Sequence, residues 1–180
     1  MEDGDAMEKL IQTAKRQGSQ ILYMEVGDRL ISGDLRLQCV GPTQAISRDF
    51  AADCNAMSLC LLLTCGDFQG LFTGDIAMDQ EASLVAEVQS ALGENGTLAF
   101  LKVAHHGSKY SSGEDFLDAL APKIALISCG KNNSYGHPGK ETLERLEDVM
   151  GKDDIYITMD AGQIRILFDQ ESPAQVKFAK

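Results

Sequence analysis

Several residue types are scarce or absent in this sequence. It has no tryptophan, three histidines and four prolines, and aromatic residues make up 6% of it. So few aromatic side chains argue against a broad platform on which single-stranded nucleic acid stacks. No apolar run approaches the roughly 20 residues of a transmembrane helix. The acidic start MEDGDAMEKL also differs from the basic and then apolar start of a signal peptide, so the sequence predicts a soluble chain.

Paired cysteines and basic residues are also lacking. The five cysteines are odd in number and include no CxxC pair, which indicates neither a disulfide framework nor a zinc knuckle. The 16 Lys and Arg residues face 27 Asp and Glu residues, giving a net charge of −11. Because basic side chains supply most of the affinity for a phosphate backbone, nucleic-acid binding would need a locally basic site. Lys102, Lys109, Lys131 and Lys140 are clustered around the loops with the histidines and provide one.

The pattern of apolar residues predicts one layered α/β domain. Predicted helices cover residues 6–17 and 79–92, follow a cap at Ser111 or Ser112, and begin at Pro138. Predicted strands cover residues 20–25, 29–31, 34–40, 58–64, 70–73, 98–104 and 123–129, and residues 155–159 and 163–168 are expected to form a hairpin. Residues 41–55 are predicted to be a loop, and residues 172–180 a tail or an edge strand.

Side chains that can bind metal or transfer protons follow the carboxyl ends of the apolar strands. Asp75, His105, the loop 132–137 with His137, and Thr158 all have this position. If those strands share a sheet, their loops meet at one edge, where ligands of α/β folds bind. A carboxylate with imidazoles suits Zn²⁺ or Mn²⁺. Taken alone, however, Asp75 is also a common turn residue and His137 a solvated helix cap, so these residues establish only a candidate site.

Five motifs together carry a resemblance to a known family. They are FTGD at 72–75, LKVAHHGSKYSS at 101–112, ALISCG at 125–130, NNSYGHPGKETLERL at 132–146 and ITMDAGQIRI at 157–166. In this order and spacing they resemble the C-terminal part of the metallo-β-lactamase-like domain of the ComEC family of DNA-uptake proteins. The resemblance runs from about Ile21 to Phe168, with residues 1–20 as a lead-in and 169–180 as a tail.

The resemblance implies a fold and roles for particular residues. The fold is a partial metallo-β-lactamase-like αβ/βα sandwich with its site along one sheet edge. Asp75 and His105 take the places of metal ligands, for Zn or Mn, and His137 that of the group that protonates the leaving oxygen. His106 braces the loop, and Gly107 permits its tight turn. The implied substrate-binding residues are Ser108, Lys109, Asn133 and Asn55.

The sequence departs from the superfamily at its main metal-binding motif. HxHxDH is absent, and Thr158 takes the place of the last metal-binding histidine. We therefore expect a chain that begins partway through the domain and binds metal weakly or not at all by itself. A sheet edge exposed in this way is predicted to promote homodimerisation.

Three functions agree with these observations. The first is a piece of the extracytoplasmic nuclease domain of a membrane DNA-uptake channel, which degrades the single strand of DNA that is not imported. The second is a stand-alone hydrolase of a small ester or lactone, because a fold does not determine its substrate. The third is a non-catalytic scaffold or DNA guide beside the channel.

Overall fold

A mixed sheet of seven strands organises the chain. The computed structural model describes residues 2–93, 96–168 and 175–179. The strands of this sheet are β1 (Arg29–Ser32), β2 (Leu35–Gly41), β3 (Cys60–Cys65), β4 (Phe68–Phe72), β5 (Phe100–Lys102), β6 (Ala125–Ile127) and β7 (Ile155–Ile157). The helices are α1 (Glu2–Arg16), α2 (Gln44–Asp49), α3 (Met78–Leu92), α4 (Glu114–Leu120), α5 (Lys140–Val149) and α6 (Thr158–Ala161). A separate two-stranded sheet pairs β8 (Gln163–Leu167) with β9 (Gln175–Ala179).

The order of the strands in the large sheet follows the sequence from β1 to β7. The first four strands pair antiparallel, whereas β4 to β7 pair parallel. The carboxyl ends of β4, β5, β6 and β7 therefore lie at the same edge of the sheet. The predicted convergence of the motif loops at one edge is thus confirmed, and so is the α/β class, while the metallo-β-lactamase identity of the fold stays a prediction.

One face of the sheet forms the main core with helices α3, α4 and α5. Alternate strand residues point to this face, among them Leu62, Leu71 and Leu101, which are all buried. Their helical partners recur at the spacing of one helix face. They include Leu84, Val88, Phe116, Leu117 and Leu146. Because each fully buried side chain of this size stabilises the fold by about 2 kcal/mol, this core holds the edge site in place.

The opposite face of β4 and β5 carries an aromatic cluster. Phe68, Gly70 and Phe72 alternate along β4, and Gly70 is in register with Phe100 on β5. The Phe100 ring contacts Phe68 and Phe72, with centroid distances of 5.8 and 5.4 Å. Phe168, directly after β8, stacks on Phe68 at 3.9 Å. The smaller sheet is thereby linked to this face.

Two predicted assignments near the N-terminus are wrong. Residues 20–25 do not form a strand, because β1 already occupies the free side of β2, with Arg29 opposite Gln38. The predicted loop 41–55 contains helix α2, whose first turn is capped by Thr43 through a hydrogen bond from the Ile46 amide. Ile46 is buried, so tertiary packing stabilises a helix that its short sequence pattern did not indicate.

The predicted hairpin near the C-terminus is also wrong. β7 pairs with β6 in the large sheet, α6 follows it, and β8 pairs with β9. Of the two alternatives for residues 172–180, a tail or an edge strand, the structure has a strand, β9, while residues 169–174 and 180 lie outside the described residues.

Both predicted helix starts are shifted by one or two residues. The N-cap of α4 is Gly113, after Ser111 and Ser112, and α5 begins at Lys140 after Gly139, beyond Pro138. The backbone before α4 is held by Glu81 and Arg145, and the Gly139 amide before α5 donates to the Gly107 carbonyl oxygen.

Strand β1 forms an edge of the large sheet, and all four of its residues are exposed. Homodimerisation through this edge stays a prediction. Within the part of the chain that the structure describes, no helix combines the length and the apolar character needed to cross a bilayer.

Candidate functional site

The turn after β4 presents Asp75 at the sheet edge. The Thr73 hydroxyl donates to the Lys102 carbonyl oxygen at 2.8 Å, which ties the end of β4 to β5. Gly74 follows with φ +58°, where an added Cβ would lie 2.6 Å from the Ser58 Cβ. The Asp75 amide donates to the Ser58 hydroxyl at 2.9 Å. These contacts hold the backbone of the turn and leave the Asp75 carboxylate half-exposed.

The loop after β5 connects the other two motif loops. The His105 amide donates to the Gly74 carbonyl oxygen at 3.0 Å, and the Gly139 amide donates to the Gly107 carbonyl oxygen at 2.8 Å. His105 and His106 have φ values of +48° and +55°, in the left-handed region. Residues other than glycine pay about 1–2 kcal/mol each for this conformation, so the surrounding structure must stabilise it.

Two charged side chains clamp the continuation of this loop. Glu81 on α3 accepts hydrogen bonds from the Ser112 and Gly113 amides at 2.5 and 2.9 Å. Arg145 on α5 donates to the carbonyl oxygens of Lys109, Ser111 and Ser112, at 2.8 to 3.1 Å. Burial raises the pKa of Glu81, and the two amides and Arg145 oppose that rise. The clamp thus joins the histidine loop to two helices of the core.

His106 faces Asp75. Its Nδ1 lies 2.6 Å from the Ser128 carbonyl oxygen. Because a carbonyl oxygen only accepts hydrogen bonds, Nδ1 carries the proton. Its Nε2 lies 3.7 Å from Asp75 Oδ1. The hydrogen bond to Ser128 agrees with the predicted bracing by His106, but the approach to Asp75 was predicted for its neighbour His105.

His137 packs against two aromatic rings. The ring of His105 meets it edge-on at a centroid distance of 5.7 Å, and Tyr135 stacks on it at 5.8 Å with an interplanar angle of 14°. The Asn133 side chain holds this loop by accepting from the His137 amide and donating to the His137 carbonyl oxygen, at 2.8 and 2.7 Å. Burial lowers the pKa of His137; His105 and His106 lower it further, and Asp75 opposes them.

We expect the pKa of His137 to lie below its ordinary value of 6.5 and to fall further in an Asp75→Asn variant, which lacks the carboxylate that favours the charged ring. The unfolded chain then binds more protons than the folded chain just below pH 6.5, so the contribution of His137 to stability falls as the pH falls through that range. An NMR titration measures the pKa of His137 directly, since the chain has only three imidazoles. Asp67→Asn, with the same charge change in the turn before β4, is the control. A His137 pKa that is equal in both variants would contradict the expectation.

A cavity of about 350 Å³ lies beside His137. Residues that line it include His106, Cys129, Asn133, Tyr135 and Thr158. The Thr158 hydroxyl exchanges two hydrogen bonds with the backbone of Cys129, both at 2.9 Å, and so joins the ends of β6 and β7.

Lys102 brings a cation to the same edge. Its ammonium donates to the Val103 carbonyl oxygen at 2.9 Å. Burial lowers the pKa of Lys102, and the nearby Asp75 opposes that fall. Of the other predicted lysines, Lys109 is exposed, with its ammonium over the Tyr110 ring.

The structure brings together Asp75, His105 and His137, the three predicted catalytic residues. Asn133 lines the adjoining cavity, whereas Ser108 is buried and its carbonyl oxygen accepts from the Thr142 hydroxyl at 2.7 Å. Asn55 is exposed, and the described residues show no hydrogen bond between it and the histidines. Sequence reasoning missed Tyr135 and Cys129 as parts of the site, although both lie in the quoted motifs.

A metal centre does not fit the described residues. Across residues 2–93, 96–168 and 175–179, no group of three or more His, Cys, Asp or Glu side chains could hold a metal ion. Asp75 and His106 approach each other with one atom each, and the Nδ1 of His106 is already bonded to Ser128. Metal centres in proteins ordinarily use at least three protein ligands, so Asp75 and His106 by themselves fall short of such a centre.

The sequence is similar to parts of curated proteins named for competence and recombination. It is 37% identical over 140 residues to ComE operon protein 3 of Bacillus subtilis (strain 168), covering 78% of this chain and 17% of that protein. It is 31% identical over 149 residues to Recombination protein 2 of Haemophilus influenzae, covering 81% and 17% respectively. Competence protein ComA of Neisseria gonorrhoeae is 36% identical over 94 residues, which cover 52% of this chain and 13% of that protein.

The chain spans about a sixth of the length of the first two relatives. No family model matches the sequence. No solved structure matches it either. The three curated proteins thus support a relationship between this chain and a competence (DNA-uptake) family of proteins.

Proposed function

We propose that this chain is part of a DNA-uptake protein and that the edge site of Asp75, His105, His106 and His137 binds a phosphodiester of the DNA backbone. The support from the relatives lies in the names Competence protein ComA and Recombination protein 2, which both refer to processes that act on DNA. The support from the structure is the meeting of three imidazoles and the half-buried Lys102 at one sheet edge.

The approach of His105 and His137 carries this proposal. Their ring centroids are 5.7 Å apart, so one phosphate beside the pair can accept hydrogen bonds from both rings. A bound phosphate also raises the pKa of a neighbouring imidazole, which opposes the lowering by burial at His137. His137 then becomes the group that donates a proton to an oxygen of the phosphodiester.

The net charge of −11 makes a local site necessary. Lys102, Lys109, Lys131 and Lys140 supply positive charge near the edge, although Lys140 also pairs with Glu144 at 2.8 Å. Binding that depends on few phosphate contacts falls only moderately with added salt, whereas a broad basic surface loses affinity steeply. We therefore propose that the site contacts few phosphates of the strand and that these contacts are centred on one phosphodiester.

In its finer form, the proposal assigns the chain to an extracytoplasmic nuclease domain that acts on the strand that is not imported, beside the membrane channel of a longer protein. Metal-dependent cleavage would need ligands in addition to the described residues. A non-catalytic DNA guide is the second candidate, because it needs only the binding groups at the edge, the imidazoles and Lys102. The two candidates share the binding step and differ in cleavage.

Binding of single-stranded DNA to the full chain tests the proposal. With a fluorescently labelled oligothymidine, we expect His137→Ala to weaken binding about tenfold, the effect of losing a hydrogen bond to a charged group. Asn132→Ala, an exposed change in the same loop, should bind like the unaltered chain. Equal affinities of all three proteins, or no binding at all, would overturn the proposal. Shortening of the oligonucleotide with Mn²⁺ or Zn²⁺ separates a nuclease from a guide.

A further inference from the structure

We infer that the cavity beside His137 holds one unpaired nucleobase. The base stacks on Tyr135, and the protein makes no base-specific hydrogen bonds to its edge. This inference rests on the proposed function, because it assumes that the phosphodiester at the histidines belongs to a single strand. It adds the position of the base, the residue that contacts it and the lack of sequence preference.

The size of the cavity fits a single base with its sugar. Its volume of about 350 Å³ lies near the lower end of the range for small-molecule pockets in proteins. Both His106 and His137 line it. A nucleotide in the cavity therefore has its phosphate at the imidazoles, and its base extends toward Tyr135 and the ends of β6 and β7.

Tyr135 offers an aromatic face held in a defined orientation. Its side chain is 82% exposed, yet its ring stacks nearly parallel on His137. Asn133 fixes the loop on which both rings lie, through hydrogen bonds to His137 and to the Gly130 carbonyl oxygen. Because the loop is already ordered, stacking of a base costs little conformational entropy.

Several polar groups of the lining are already hydrogen-bonded within the protein. The Asn133 amide bonds to the backbone of Gly130 and His137, and the Thr158 hydroxyl bonds to the backbone of Cys129. The Ser128 carbonyl oxygen accepts from His106. These bonds reduce the capacity of the groups to distinguish one base edge from another, whereas any base has a face that stacks on an aromatic ring.

Stacking of this kind selects single strands. In a duplex both faces of a base are covered by its neighbours, so a base must leave the stack before it can lie on Tyr135. The free energy of unstacking is a few kcal/mol in a duplex and is smallest in a single strand. The cavity thus favours single-stranded DNA of any sequence.

Oligonucleotides with and without bases test this inference. We expect Tyr135→Ala to weaken binding of a short oligothymidine about tenfold, since stacking contributes about 1–3 kcal/mol per base. Tyr135→Phe keeps the ring and should bind normally. Tyr23→Ala removes another exposed tyrosine, outside the motif loops, and is the matched control. An abasic oligonucleotide should bind Tyr135→Ala and the unaltered chain equally.

A fluorescence measurement reports stacking directly. An aminopurine base loses fluorescence when it stacks, and a chain without tryptophan adds no indole signal. We expect quenching with the unaltered chain and with Tyr135→Phe, and little quenching with Tyr135→Ala. Similar quenching and affinity for aminopurine oligonucleotides of different flanking sequence would support recognition without edge reading, whereas a strong preference for one base would contradict it.

The outcomes separate this inference from the proposed function. If the abasic and the normal oligonucleotide bind equally, and His137→Ala alone weakens binding, the base site is wrong and the phosphodiester site stands. If Tyr135→Ala weakens binding of the normal oligonucleotide alone and His137→Ala has no effect, the base site stands and the phosphodiester site is wrong. If no oligonucleotide binds, both are overturned.

Discussion

Replacing Arg145 with alanine is expected to lower the free energy of unfolding by about 3 kcal/mol and to disorder the histidine loop. The guanidinium donates to three carbonyl oxygens of residues 109–112 and to the Thr142 hydroxyl. Hydrogen bonds to a charged group each stabilise by about 1.5–3 kcal/mol, and lost partners remain partly buried. The buried Glu81 carboxylate also loses the nearby positive charge that offsets its burial. Urea unfolding measures the change.

Two variants show whether this effect belongs to the clamp. Arg165→Ala removes an equal charge from an exposed strand residue whose side chain bonds to Gln163, and we expect a change below about 0.5 kcal/mol. Arg145→Lys keeps the charge but lacks the planar fork, so it should recover only part of the stability. Imidazole NMR signals of His105 and His106 should move in Arg145→Ala and stay in place in Arg165→Ala. Equal behaviour of the two alanine variants would contradict the clamp.

Replacing Gly70 with alanine should be nearly as damaging. An added Cβ would lie 1.9 Å from the Phe100 ring, far inside van der Waals contact. Phe100 is buried between Phe68 and Phe72, so its ring has little room to move aside. We expect a loss of about 3 kcal/mol in the free energy of unfolding, at the upper end for an overpacked core. Thermal or urea unfolding, followed by circular dichroism, measures it.

The companion variants isolate the contact between Gly70 and Phe100. Gly130→Ala is the control, because an added Cβ there has no heavy atom within 4 Å. Phe100→Leu removes the ring, so the double variant Gly70→Ala/Phe100→Leu should be more stable than the sum of the two single losses predicts. Strict additivity of the two changes would show that the alanine acts elsewhere.

The strands could be predicted where the apolar pattern alone decides them. β5 and β6 lie within the predicted strands, and β3 extends one residue beyond the predicted strand 58–64, because their apolar runs have neighbouring strands on both sides. The pairing of β7 with β6 and of β8 with β9 could not be predicted from the sequence. An alternating pattern specifies which face of a strand is buried, but it does not specify the neighbouring strand. Helix α2 was missed because its six residues form too short a pattern, while the burial of Ile46 depends on the folded structure.

The candidate site followed from sequence only as far as its residue types and their places at strand ends. Asp75, His105 and His137 were named, and the parallel order of β4 to β7 brings them together. The roles of the paired histidines could not be assigned, because they depend on backbone angles. With both residues at positive φ, His106 points to Asp75 and Ser128, and His105 to His137.

The sequence by itself determined the α/β class, the edge at which the motifs gather and the likeness to competence proteins, because these depend on local patterns of apolar residues and on the spacing of motifs along one chain. The tertiary structure alone decided that Glu81 and Arg145 hold the histidine loop, and that Tyr135 lies over His137 beside a cavity. These contacts join side chains from separate elements, and their geometry arises only when the sheet and helices pack.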